Sequence, residues 1–214
     1  MPVAVKICGL NRPEVVAAAV DGGAAFIGFV FYPRSPRAVT PAEARRLAVG
    51  VPAHVVKTGL LVDFDDEAIA AILAEAPLDL LQLHGAESPE RVAAVRARFG
   101  LPVMKVLAVA EPGDVAAAQA YVPVVDRLMF DAKPPRRPDA LPGGNGLPFD
   151  WRLLAGRRWD VPWMLSGGLT TENLGEAVRM TGATAVDVSS GVEDAPGVKS
   201  VAKIAAFLAA ARDL

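Results

Sequence analysis

The chain is poor in the residues that build disulfides and metal sites. It has one cysteine, Cys8, and two histidines, His54 and His84, in 214 residues. A lone cysteine excludes an intrachain disulfide and agrees with a reducing compartment. Cys8, His54 and His84 have no zinc spacing, so no metal is expected. Net charge is nearly missing as well, at −2, which argues against nucleic acid or an acidic membrane surface as a partner. No apolar run reads as a membrane span, because the longest, 15–32, is broken by Asp21-Gly22-Gly23. The first residues lack the charged-then-apolar order of a signal peptide, and the expected setting is cytoplasmic. There is no linker and no shift of composition, so residues 1–214 read as one domain.

What the chain does have is alternation. With 52% hydrophobic and 21% charged residues it can bury a full core. Strand-like runs fall at 3–7, 25–29, 55–62, 78–83, 103–107, 124–130, 161–165 and 183–188. Helix-like runs follow at 13–20, 41–49, 65–76, 89–99, 114–121, near 151–154, 171–180 and 199–212. Start signals support several of these: Asn11 as a cap before Pro13, Thr40 with Glu43 as a capping box, and Ser88 before Pro89. Eight strand-then-helix units demand parallel strands with crossovers, and predict a (β/α)8 TIM barrel. An open doubly wound sheet is the rival, which local pattern does not separate from a barrel.

In either architecture reacting groups gather at the carboxyl ends of the strands. Those positions hold Cys8 after strand one and Ser35-Pro36-Arg37 after strand two. Asp63 follows strand three, and Gln82-Leu83-His84-Gly85 closes strand four. Asp131 ends strand six, Ser166-Gly167-Gly168 strand seven, and Asp187-Val188-Ser189-Ser190-Gly191 strand eight. A free cysteine is commonly just a small buried hydrophobe. Here it belongs to a set that also holds carboxylates, an imidazole and a guanidinium. The Gly/Ser turns after strands seven and eight suit an anion, since glycine lets backbone amides approach a phosphate and serine adds donors. In a closed ring a phosphate held there lies between Asp131 on strand six and Cys8 on strand one. That arrangement suits proton transfer, one group donating and the other abstracting. The proline-rich segment 132–148, with Lys133, Arg136 and Arg137, reads as a long functional loop or a solvated one.

Over residues 6–203 the sequence resembles the phosphoribosylanthranilate isomerase family. The resemblance rests on Lys6-Ile7-Cys8-Gly9, Ile27-Gly28-Phe29-Val30-Phe31, Ser35-Pro36-Arg37, Leu81-Gln82-Leu83-His84-Gly85 and Gly143-Gly144-Asn145-Gly146. It continues in Ser166-Gly167-Gly168-Leu169 with Asn173, and in Asp187-Val188-Ser189-Ser190-Gly191-Val192-Glu193. It implies a (β/α)8 barrel and a cofactor-free Amadori rearrangement of N-(5-phosphoribosyl)anthranilate, a phosphorylated small molecule. It also implies Asp131 as general acid and Cys8 as general base. Arg37, His84, Gly144 and Asp187 then fall at substrate positions, with Arg37 toward the anthranilate carboxylate. Gly167, Gly168, Ser190 and Gly191 fall at the phosphate, and the assembly is a monomer or homodimer. Asn145 stands where the family more often has Thr or Ser, and Ser166 where it commonly has Ala. The alternatives are another phosphate-binding barrel enzyme, such as an indole-glycerol-phosphate synthase or a ribulose-phosphate epimerase, and a non-catalytic phosphate-ligand binder. The pairing of Cys8 with Asp131 argues against both. Lys6, two residues before Cys8, is expected on the same side of its strand, where it favours the thiolate or stabilises the interior.

Overall fold

The computed structural model describes residues 3–134, 143–144 and 146–214. Eight parallel strands close into a barrel in sequence order. They are β1 (Ala4–Cys8), β2 (Phe26–Val30), β3 (Val56–Leu61), β4 (Leu80–Leu83), β5 (Val103–Val109), β6 (Arg127–Ala132), β7 (Trp163–Leu165) and β8 (Ala185–Val188). Closure decides against the open sheet: β1 pairs with β2, Cys8 opposite Gly28, and with β8, Lys6 opposite Asp187. The crossovers carry α1 (Pro13–Asp21), α2 (Pro41–Ala48), α3 (Asp66–Glu75), α4 (Pro89–Phe99), α5 (Pro112–Ala116), α6 (Leu174–Thr181) and α7 (Val201–Arg212). None of the described helices is long and apolar enough to cross a membrane.

Period-two alternation divides the strands between two cores. Ile7, Ile27, Phe29, Leu61, Leu81, Leu83, Phe130, Leu165 and Val186 pack outward beneath the helices. Phe26, Leu80, Met104, Met129, Met164 and Ala185 fill the floor of the barrel interior. Cys8, Val30 and Leu60 form a small cluster above that floor. The same alternation places Lys6, Gln82, Asp131 and Asp187 inside.

The capping box at Thr40 and Glu43 forms, and Ser88 accepts from the Arg91 amide. Asn11 does not cap α1. The cap position is Arg12, without a side-chain bond, and Asn11 Nδ2 donates instead to the Gly197 carbonyl at 3.2 Å. The helix expected over 114–121 is one α turn, Pro112–Ala116, that tightens into a 3-10 segment, Ala117–Ala120. A second 3-10 turn, Val122–Val124, takes the expected start of strand six. The helix expected from 171 begins at Leu174, because Asn173 is used otherwise: it accepts from the Thr170 amide and donates to the Gly168 carbonyl. Lys199 lies in a hairpin, β9 (Glu193–Ala195) and β10 (Val198–Lys199), that precedes α7. The Pro196-Gly197 pair, with Gly197 at φ +82°, was the sequence signal for that turn.

Candidate active site

The mouth of the barrel at the carboxyl ends of the strands is a cavity open to solvent. Cys8, Arg37, His84, Gly144, Asp131, Gly167, Gly168, Asp187 and Ser190 all line it, which unites nine of the ten residues selected from the sequence. Gly191 is the exception. A Cβ there would collide with the Leu169 carbonyl oxygen, so the close approach of that backbone requires glycine. Asp63 also stays out. It holds φ +53°, its amide donates to Glu87 and its carboxylate accepts from the Ala86 amide, an arrangement that ties the loops after β3 and β4 together. Arg136, Arg137 and Asn145 lie outside the described residues. Lys133 lines the cavity and pairs with Asp114 at 2.9 Å.

Asp131 lies inside β6 and is buried, with each carboxylate oxygen engaged. Oδ1 accepts from the Ala132 amide at 2.8 Å, and Oδ2 stands 3.3 Å from His84 Nε2. Gln82 Nε2 lies 3.1 Å from His84 Nδ1, and as the amide is placed it donates there. The imidazole proton is then on Nε2, directed at Asp131.

Cys8 is the last residue of β1 and is buried. Burial pushes its thiol up; Lys6 and Lys199 pull it down, and Asp187 pushes with burial, leaving the thiol above its ordinary value. The thiolate expected beside Lys6 is therefore supported by the lysine but not dominant. Lys6 itself is fully buried and donates to Asp187 Oδ1 at 2.8 Å, while Ser166 donates to Asp187 Oδ2 at 3.1 Å. Burial opposes the Lys6 ammonium, yet Asp187 and Cys8 hold its pKa above the usual lysine value.

Arg37 is less free than the sequence suggested. Its Nε and Nη2 bind both oxygens of Glu193 at 2.7 and 2.8 Å, and Nη2 also donates to the Gly144 carbonyl at 3.2 Å. Among the described residues Nη1 makes none of these bonds. Glu193 also accepts from Lys199 and sits in β9, the hairpin the sequence reading missed. Val30, Tyr32, Leu60 and Val62 make an apolar wall that was equally missed. The alternation that turned Cys8 inward should have turned Val30 and Leu60 inward too.

The turn after β7 is glycine by necessity. Gly167 and Gly168 hold φ +91° and +63°, and a Cβ on Gly167 would stand 2.7 Å from the Ala132 amide nitrogen. With Ser189 and Ser190 they form a backbone-rich corner of the cavity, flanked by Asp131 on one side and Cys8 on the other.

Residues 5–210 match the family described as N-(5'phosphoribosyl)anthranilate (PRA) isomerase. The chain belongs to this family. It is 61% identical to the N-(5'-phosphoribosyl)anthranilate isomerase of Rhodospirillum centenum, over all of both chains. The crystal structure of phosphoribosyl anthranilate isomerase from Thermotoga maritima superposes with a TM-score of 0.88 at 36% identity, covering 99% of this chain and 100% of that one. A further family structure, in complex with reduced 1-(o-carboxyphenylamino)-1-deoxyribulose 5-phosphate, superposes with a TM-score of 0.84 at 34% identity, with coverage of 99% and 100%. The family is therefore established across the barrel and through every strand that contributes to the cavity.

Proposed function

We propose that this protein isomerises N-(5-phosphoribosyl)anthranilate to 1-(2-carboxyphenylamino)-1-deoxyribulose 5-phosphate in tryptophan biosynthesis, with Asp131 as general acid and Cys8 as general base. The observation that carries the reading is the position of these two side chains, on β6 and β1, on either side of the glycine-serine corner that β7 and β8 supply. A phosphate seated against the amides of Gly167 and Gly168 and the hydroxyl of Ser190 holds the sugar between them. As general acid, Asp131 gives a proton to the furanose ring oxygen; the C1–O bond breaks and the anthranilate nitrogen supplies the electron pair that makes an iminium. The Cys8 thiolate then removes the proton on C2, and the C2–H electrons flow to the iminium to give an enolamine. Tautomerisation of the enolamine delivers the ketone. Only protons are exchanged with the protein, so the reaction balances without a cofactor.

The opposite end of the cavity suits the aromatic part of the substrate. Val30, Tyr32, Leu60 and Val62 offer a surface for the ring, and the guanidinium of Arg37, which lines the same cavity, can meet the carboxylate. His84 holds Asp131, and Asp187 holds Lys6 beside Cys8, so these two support the reacting pair. Gly144 contributes its carbonyl to Arg37 and thereby orients the guanidinium. A biosynthetic enzyme of this kind with a free thiol suits the cytoplasm. A family structure is described as monomers generated from a dimeric phosphoribosylanthranilate isomerase, so both states are open to this chain and light scattering distinguishes them.

The test is direct. Purified protein added to freshly generated N-(5-phosphoribosyl)anthranilate should abolish its fluorescence catalytically, with formation of the ketose product by mass spectrometry and chromatography. A folded protein that binds the substrate without turnover would support a ligand-binding role and end the enzymatic reading.

A further inference from the structure

Lys6 is an expensive residue to place where it is. Its neighbours on the barrel floor are methionine, leucine and phenylalanine, yet its ammonium is fully buried. A buried ion pair is weak evidence for stability, because an apolar replacement of similar volume often folds as well. The placement asks for another reason, and the geometry around Gly28 supplies one. Lys6 and Cys8 are two apart on β1 and project to the same side. A Cβ built on Gly28 would lie 3.0 Å from Cys8 Sγ and also 3.0 Å from Lys6 Nζ. The sulfur and the ammonium therefore converge over the bare glycine backbone, separated by at most twice that distance. Asp187, opposite Lys6 on β8, fixes the ammonium from the other side and is itself held by Ser166.

We propose that Lys6 is a positioning residue for Cys8: held by Asp187 and given room by Gly28, it keeps a fixed cation against the sulfur and offsets part of what burial costs the thiolate. This deepens the reading of Cys8 as the base and rests on it for its catalytic meaning. The charged groups facing the sulfur come from three elements, Lys6 on β1, Asp187 on β8 and Lys199 on β10. Asp131 and His84 line the same cavity from β6 and β4, and Arg37 lines it already bound to Glu193. Of the two cations that pull on the sulfur, Lys6 acts more strongly than Lys199, which is engaged with Ser189 and Glu193.

Because Cys8 is the only cysteine, alkylation by iodoacetamide followed by intact mass reads one thiol. The rate is measured from pH 6 to 10 in the wild type and in Lys6→Met, Asp187→Asn and Gly28→Ala, with far-UV circular dichroism confirming the fold. An opposite charge within about 4–6 Å moves a pKa by about 1–3 units. Lys6→Met should raise the midpoint by about one unit or more, a tenfold loss of thiolate at any pH below it. Asp187→Asn removes the negative charge but keeps an oxygen toward Lys6 and turns its amide to the Ser166 hydroxyl, which can accept, so the lysine stays placed and the midpoint should fall. Gly28→Ala pushes the two groups apart and should raise the midpoint without deleting a charge. Loosening of the barrel would move Lys6→Met and Asp187→Asn in the same direction; that result, or a midpoint unmoved by loss of Lys6, overturns the proposal. Should Lys6→Met fail to fold, Gly28→Ala and Asp187→Asn decide by their opposite signs. Failure of the underlying reading looks different: if the midpoint shifts in Lys6→Met while the pH profile of kcat stays that of the wild type, the coupling stands and Cys8 is not the base.

Discussion

Replacing Glu193 by glutamine should cost the protein more stability than a near-isosteric change normally does. Glu193 is buried and is the anion that two buried cations share, Arg37 through both carboxylate oxygens and Lys199 through one. Glutamine keeps the shape, but it presents an amide donor to one of three donors and leaves two positive charges uncompensated. Breaking a buried ion pair typically costs about 3–5 kcal/mol. In a chain of this length each kcal/mol moves Tm by roughly 2–4 °C, so a fall of about 6–20 °C is expected at neutral pH. The deficit should depend on pH in both directions. Burial works against the Glu193 carboxylate, but Arg37 and Lys199 outweigh it and hold its pKa below the ordinary value. Its contribution is therefore present above the unfolded-state value near ~4.3 and is lost as pH falls through the folded value, so the two proteins should converge in acid. On the alkaline side, burial already lowers the Lys199 pKa against the pull of Glu193. Without that carboxylate the lysine sheds its proton more readily when folded than when unfolded. The unfolded state then binds more protons, and stability of the variant rises with pH toward 10. The assay is thermal unfolding by circular dichroism from pH 2 to 10. A Tm within 2 °C of wild type at pH 7, or a deficit that ignores pH, would refute the shared-anion account.

Cys8→Ser should fold and lose turnover by about 10²-fold or more, in kcat rather than KM, because serine does not supply an anionic base at accessible pH. Asp131→Asn should lose a similar factor, since the amide keeps the His84 contact but donates no acid proton; steady-state kinetics on the fluorescent substrate reads both. In the wild type kcat/KM should rise with pH along a limb centred above the ordinary thiol value of ~8.5, because burial raises the Cys8 pKa and the base must be deprotonated to act. A limb that persists in folded Cys8→Ser would sink that assignment. Gly167→Ala forces a side chain into a conformation at φ +91° and toward the Ala132 amide. It should weaken competition by inorganic phosphate and lower kcat as well, and an unchanged inhibition constant would move the phosphate away from the turn after β7.

The order of strands and helices was legible from local chemistry alone. Apolar runs of strand length, capping residues such as Thr40 and Ser88, and the short spacing between them specify eight strands in the right places. The sequence also marked the residues that end each strand, which is why Cys8, Asp131 and the Ser166-Gly167-Gly168 turn could be selected before any geometry was known. Where local reading erred, a contact distant in sequence had taken over. Asn11 gave up its cap for the Gly197 carbonyl, and Glu193, unremarkable between Val192 and Asp194, became the partner of Arg37 across 156 positions. Asp63 looked like a pocket carboxylate but accepts from the Ala86 amide, while its own amide donates to Glu87. Period-two alternation names the two faces of a strand, but only closure of the sheet makes one of them the inside of a barrel. Closure places β8 beside β1 and puts Asp187 against Lys6, while the next strand, β2, sets Gly28 beside Cys8. The Lys6–Asp187 pairing sets much of the charge around the thiol, and it depends on chain segments that meet only when the last strand returns to the first.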